Sequence, residues 1–151
     1  MPLAVIIDAS VALKWYLEEE FSVYADNLSQ AYQNNQIKII APYILKWEVF
    51  NGLLSAVSSG RISYQLARKY SLNFLKLGIK EIDIKDKEDS IRIIEIAYNN
   101  KLSVYDSYYI ALVEKCRCAF YTADKKLYNQ LHYNGGNSLV KLIEEFKLHH
   151  G

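Results

Sequence analysis

Leu3-Ala4-Val5-Ile6-Ile7-Asp8-Ala9-Ser10 is the stretch on which the fold turns. Five apolar residues run without a polar break and stop at a carboxylate. A strand with one wet face would alternate polar and apolar residues. An unbroken apolar run instead marks a strand covered on both faces, as central strands of parallel sheets are. Ser10 suits a helix cap, with Val11 to Leu17 behind it. Asp8 is therefore expected at the carboxyl end of a buried strand, the edge at which open α/β sheets bind ligands.

The pattern repeats outward from there. Tyr24, Leu28, Ala31 and Tyr32 recur at helical spacing, and Ile37 to Ala41 reads as a second strand. Pro42 suits the first turn of a helix that carries Tyr43, Trp47, Phe50, Leu54 and Val57 as its core face and ends near Gly60. Ser63 caps the next, with Leu66, Tyr70, Phe74 and Leu77 inside and Gly78 beyond its end. Ile79 to Ile84 alternates, as a half-exposed edge strand does. Asp86 to Asn99 is helical, with Ile91, Ile94, Ala97 and Tyr98 on one side. A further helix starts at Asp106 or Ser107 and runs to about Lys115. Cys118 to Thr122 is a strand, Lys125 to Leu131 a short helix, Gly135-Gly136 a turn, and Asn137 to Leu142 a last strand. A terminal helical turn or two follows from Ile143 to Leu148. Strands alternating with helices predict an α/β fold with a largely parallel sheet. No repeat or Pro/Gly-rich linker interrupts the chain, which predicts one domain over residues 1–151.

Composition narrows the function classes. The 151 residues are 51% apolar and 23% charged, which excludes intrinsic disorder. Eighteen basic against 17 acidic residues leave a net charge of +1, so bulk attraction to nucleic acid or an acidic membrane is not signalled. No apolar run reaches the roughly 18 residues of a membrane span. The N-terminus lacks the basic region and small-residue cleavage site of a signal peptide. Cys116 and Cys118 are too close to staple a fold and too few for a zinc site, and read as structural thiols of a reducing cytoplasm. His149 and His150 read as polar tail.

Four carboxylates can approach one sheet edge. Asp8 ends the first strand, Asp124 lies two residues past the strand ending at Thr122, Asp106 opens a helix, and Glu48 sits one to two turns inside the helix after the second strand. Ile44, Glu48 and Asn51 form a stripe beside the Trp47/Phe50/Leu54 face. Each acid has an ordinary explanation: Asp106 and Asp124 as helix caps, Asp8 as a turn residue, Glu48 as a surface partner of Lys46 or Lys125. The case for chemistry rests on the four together. Crowded carboxylates repel one another and resist desolvation, and a divalent cation offsets both. Hard oxygen ligands select Mg²⁺ or Mn²⁺, ions that lower the pKa of bound water and polarise phosphoryl oxygens. Phosphodiester hydrolysis is the chemistry this suggests.

The ordered motifs resemble those of PIN-domain ribonucleases. Ile6-Ile7-Asp8-Ala9-Ser10-Val11 is similar to the opening motif of that family, and Pro42 to Leu53, with Glu48 and Asn51, to the second. Leu102-Ser103-Val104-Tyr105-Asp106-Ser107-Tyr108-Tyr109-Ile110-Ala111-Leu112 resembles the third. Phe120-Tyr121-Thr122-Ala123-Asp124-Lys125-Lys126-Leu127 resembles the fourth. The compact length is closest to VapC-type toxins of toxin–antitoxin pairs. The resemblance implies a three-layer α/β/α fold with a mostly parallel, five-stranded sheet. It also implies a Mg²⁺- or Mn²⁺-dependent cytoplasmic endoribonuclease, a homodimer and a cognate antitoxin. By position it implies Asp8, Glu48, Asp106 and Asp124 as catalytic, metal-binding acids, Asp8 and Asp106 foremost, with Ser10, Asn51 and Thr122 orienting them. Ser107-Tyr108-Tyr109 departs from the small residue that commonly follows the third acid, which bears on substrate access.

Lys14, Lys46, Lys125 and Lys126 flank the expected pocket as candidate RNA-phosphate contacts, and Trp15 and Tyr16 are the best-placed aromatics to stack on bases. A haloacid-dehalogenase-like phosphatase would need a second Asp where Ser10 stands. A phospho-receiver domain would need adjacent acids after the first strand, and no P-loop occurs. A stand-alone RNA-processing PIN nuclease and a catalytically silent PIN binding module are the alternatives to a toxin.

Overall fold

The structure is a computed structural model and describes residues 2–148; the His149-His150 tail lies outside them. Five strands alternate with seven α-helices: β1 Leu3–Ile7, α1 Ala9–Ala12, α2 Ser22–Gln33, β2 Ile37–Ala41, α3 Ile44–Ser58, α4 Tyr64–Lys76, β3 Lys80–Glu81, α5 Lys87–Asn100, α6 Val104–Cys116, β4 Ala119–Thr122, α7 Lys125–Tyr133 and β5 Val140–Leu142. Short 3-10 turns follow α1 and β5, at Leu13–Trp15 and Ile143–Glu145.

The sheet has the order β3-β2-β1-β4-β5, and every neighbouring pair is parallel. β1 is central, with Val5 opposite Ile39 on one side and Ala119 on the other. Successive side chains of a strand face opposite sides, and here both sides are dry. Val5, Ile7, Ile39 and Ala41 join one core with helices α1 to α4, while Ile6, Ile40, Phe120 and Val140 join the other with α5 to α7. Two covered faces are why β1 carries no polar alternation.

Two helix faces differ from expectation. α3 buries Ile44, Leu45, Val49, Leu53 and Ala56, and turns Trp47 (56% exposed) and Leu54 (50%) outward. The helix is apolar around most of its circumference, so helical spacing alone fits either face. α5 likewise buries Ile93, Ile96 and Ala97 while Ile91, Ile94 and Tyr98 face out. The edge strand shrinks to two residues, and β5 to three.

Cap assignments also move. Ser10 lies inside α1, which Asp8 caps; α6 begins at Val104, capped by Ser103, not at Asp106. The segment after Asp8 lies hard against α3 at Gly52, where a Cβ would overlap the Leu13 side chain. Glycine at that one position lets the α1 segment and the helix carrying Glu48 approach closely.

Candidate active site

Parallel strands send their carboxyl ends to one edge of the sheet, and β1 and β4 deliver Asp8 and Thr122 there as neighbours. Asp8 is 8% exposed. Its Oδ1 accepts hydrogen bonds from the Ser10 hydroxyl and, at 3.3 Å, from the Val11 N–H. Its Oδ2 accepts from the Thr122 hydroxyl. The two hydroxyls in turn accept from the next strand-to-helix loop, Ser10 Oγ from Ala123 N–H at 2.8 Å and Thr122 Oγ1 from Asp124 N–H at 3.0 Å. Each hydroxyl has a single proton, directed at Asp8, so the pair works as two donors clamped onto one carboxylate. Ser10 and Thr122 thus both donate to the Asp8 carboxylate. Burial nevertheless pushes the Asp8 carboxyl up to about 6; the three hydrogen bonds oppose the rise and Asp124 adds to it.

Asp124 caps α7, its Oδ1 accepting from Leu127 N–H at 3.1 Å. Asp106 occupies the third position of α6. The Ser103 hydroxyl already caps that helix by accepting from Asp106 N–H at 3.0 Å, so the Asp106 carboxylate is not needed as a cap. Its pKa is raised, first by burial and then by Asp124. Glu48 sits in the second turn of α3, half-buried, and among the described residues no lysine pairs with it. Its Oε1 instead accepts at 2.8 Å from the hydroxyl of Tyr109. Burial raises Glu48 too, Tyr109 pulls it back, and Asp106 adds to the rise.

Tyr109 is the residue that sequence reasoning missed. It is 1% exposed and stacks on Phe120 of β4, ring centres 5.3 Å apart and planes 12° from parallel. Its phenol is driven well above the usual range, by burial first and then by Glu48, Asp8 and Asp106, three acids around one hydroxyl. It is buried, with its hydroxyl on Glu48. A Tyr three residues past an acid on one helix is the only sequence signal of this role, and it reads equally well as core.

The four acids are thus coupled in a chain, Asp8 to Asp124, Asp124 to Asp106, Asp106 to Glu48. Among the described residues none of them has a basic partner within salt-bridge distance, whereas Glu19, Glu81, Asp89, Glu95 and Glu114 do. Also among the described residues, no three carboxylate, imidazole or thiol groups already stand close enough to cage a cation. The donor set still fits a hard dication: all oxygen, without basic partners among the described residues, and with Asp8, Glu48 and Asp106 destabilised as anions by burial and by a neighbouring acid. Mg²⁺ retains several waters and uses few carboxylates directly, so a spread set of acids suits it.

A cleft of about 370 Å³ opens beside Asp106 and Asp124, lined also by Lys101, Ser103, Lys126 and Gln130. Of the four lysines proposed from sequence, only Lys126 borders it. Lys14 is 8% exposed and anchors the chain that follows, its Nζ donating to Glu20 O at 2.6 Å and pairing with Glu19; it is not a phosphate contact. Lys46 pairs with Glu81 and lies over the Trp47 ring, and Lys125 lies over Phe21. Trp15 and Tyr16 are likewise structural: Trp15 packs near Phe74 with its N–H on Ala25 O, and the Tyr16 hydroxyl donates to Asn73. Asn51 is exposed, and no side-chain hydrogen bond ties it to an acid among the described residues. Cys116 and Cys118 are free thiols, Cys118 buried and pushed up to about 11.

Comparison with known proteins matches the chain to a family. The family model for the PIN domain matches residues 5–130. Among solved structures, PAE2754 from Pyrobaculum aerophilum is similar in fold, with a TM-score of 0.66 and 16% identity over 94% of this chain and 85% of that one. No curated protein matches the sequence.

Proposed function

Since the chain belongs to the PIN domain family, whose members are in general metal-dependent nucleases, we propose that it is a Mg²⁺- or Mn²⁺-dependent endoribonuclease, the toxin of a VapBC-type toxin–antitoxin pair. The observation that carries the proposal is the run of four unpaired, mutually repelling carboxylates at the carboxyl edge of one parallel sheet. In this reading Asp8, Glu48, Asp106 and Asp124 hold the ion, directly or through waters. Bound there, a dication supplies a water acidic enough to attack at neutral pH and a counter-charge for the phosphoryl oxygens. The chain's own groups do the positioning. Ser10 and Thr122 hold both Asp8 oxygens with donors, fixing the carboxylate plane, and Tyr109 fixes one Glu48 oxygen. Asp106 and Asp124 face the cleft through which a phosphodiester enters.

Exposed apolar surface supports protein partners. α3 and α4 leave Trp47, Leu54, Tyr64, Leu72 and Leu75 about half exposed, surface that an antitoxin would cover. The outward Ile91–Ile94–Tyr98 stripe of α5 is surface for a second copy in a homodimer. No helix among the described residues is long and apolar enough to cross a membrane, in keeping with a cytoplasmic enzyme.

The direct test is cleavage of single-stranded RNA with Mg²⁺ or Mn²⁺ by wild type, wild type in excess chelator, and Asp8→Asn. Cleavage by the first alone supports the reading; undiminished cleavage by either of the others refutes it. The toxin assignment predicts growth arrest on expression, relieved by a small neighbouring gene. Harmless expression of an active enzyme selects the stand-alone RNA-processing alternative, and failure to cleave any RNA selects the silent binding module.

A further inference from the structure

We infer that Lys101 and Lys126 form a phosphate-holding subsite in the cleft that Asp106 and Asp124 also line, gripping the nucleic-acid backbone beside the reacting phosphodiester. The inference rests on the nuclease reading above and adds the residues that bind substrate. Both lysines line the same cleft as the two acids. Neither is engaged elsewhere: among the described residues the salt bridges use Lys14, Lys46, Arg61, Arg92 and Lys115.

Local structure bears differently on the two cations. Lys101 ends α5 in the left-handed region, φ 55° and ψ 44°, with its N–H on Ala97 O. Glycine or asparagine is the usual residue at that φ, while the negative end of the α5 dipole favours the positive charge. Lys126 lies in the first turn of α7, at the positive end of the helix dipole, where a cation is disfavoured. A phosphate between them relieves the conflict at Lys126.

The spacing of the two is maintained by the neighbouring amide. Gln130 of α7 donates from Nε2 to Asn100 O at 3.1 Å, tying the helix that carries Lys126 to the end of the helix that carries Lys101. The ligand class follows from the cleft's mixed charge. A lone small anion would meet the repulsion of Asp106 and Asp124. A chain of phosphodiesters spans the cleft, with one phosphate beside the acids and its neighbour on the lysines.

The test is binding of a fluorescein-labelled single-stranded RNA in chelator, where no cleavage intervenes, as a function of salt. Wild type, Lys101→Gly, Lys126→Ala, the double variant and the exposed control Lys69→Ala are compared, with a mononucleotide as competitor. Each phosphate contact contributes a slope of about 0.7 in log–log salt dependence for single strands, which at 0.1 M salt is about a fivefold change in Kd. Each single cleft variant is expected to weaken binding by roughly fivefold and flatten the slope by about 0.7, and the double by roughly 25-fold. Lys69→Ala binds as wild type, and the mononucleotide fails to compete. Lys101→Gly suits its backbone conformation better than lysine, so it melts no lower than wild type. Its weakened binding therefore cannot be ascribed to unfolding.

Wild-type Kd and salt slope in both single variants, while wild type still cleaves RNA with Mn²⁺, overturn the subsite and leave the nuclease reading intact. Equal weakening by Lys69→Ala, or efficient competition by the mononucleotide, also overturns it. Wild type that neither binds nor cleaves RNA overturns both.

Discussion

Replacing Asp8 by Asn should make the metal-free protein more stable while ending its activity. In the unfolded chain Asp8 releases its proton near the ordinary 3.8, and in the folded protein near 6. The folded state therefore binds the proton more tightly, and stability falls as pH rises through that window. At about 1.36 kcal/mol per pH unit, a difference of about two units makes ionised Asp8 a liability of about 3 kcal/mol above pH 6. Asparagine removes the charge. Its Oδ1 still accepts from Ser10 and Val11 N–H, but its amide cannot accept from Thr122, a loss of about 1 kcal/mol. The balance is about 2 kcal/mol in favour of the variant, roughly 4–8 °C in melting temperature for a chain of this length. Thermal unfolding in chelator measures it. The gap should be open at pH 7 and nearly closed at pH 4, where wild-type Asp8 is protonated when folded. Saturating Mn²⁺ should reverse the order: an ion at 100 times its Kd adds about 2.7 kcal/mol to wild type and nothing to the variant. A variant less stable than wild type at pH 7 without metal, with no narrowing of the difference toward pH 4, would refute the claim that this carboxylate is held charged against the preference of the fold.

Three further substitutions probe other links. Tyr109→Phe removes the hydroxyl that holds Glu48 and leaves the ring on Phe120; we expect Mn²⁺ affinity, read by calorimetric titration, to fall roughly 10–100-fold, and unchanged affinity would show that Glu48 needs no such support. Leu53→Ala empties a fully buried site where α3 meets the sheet and should cost about 2–5 kcal/mol in urea denaturation. Losing less than 1 kcal/mol there would mean that the outward Trp47 face is the real core. Ser103→Ala deletes the α6 cap, with an expected loss of about 1 kcal/mol; a far smaller effect would indicate that Asp106 takes over as cap.

The architecture was legible wherever one local rule had no competitor. Leu3–Ile7 is short, wholly apolar and stopped by an acid, and only a strand covered on both faces fits all three. Once β1, β2 and β4 were read as parallel strands, the convergence of Asp8 and Asp124 on one edge followed from topology, and the loop residues Ser10 and Thr122 came with them. The rest was lost to ambiguity of two kinds. α3 and α5 carry apolar residues around much of their circumference, and spacing cannot tell which stripe faces the sheet when Trp47, Ile91 and Ile94 are as apolar as Val49 and Ile93. Side-chain direction was the second: Lys14 looked like a free cation beside Asp8, but the 3-10 turn swings it toward the Glu19–Glu20 loop. Tyr109 depends on a partner far away in the chain, Glu48, and no local pattern announces such a pair.

The central position of β1 governs when the enzyme comes into being. Asp8 is made well before its partner: the hydroxyl that clamps its Oδ2 lies 114 positions downstream. β1 can pair with β2 early, but its other flank stays open until β4 emerges, and with it Asp124. A nascent chain therefore carries one acid after another without a working centre, and closing so distant a pairing is slow. The strand order thus leaves the site incomplete until β4 is in place beside β1.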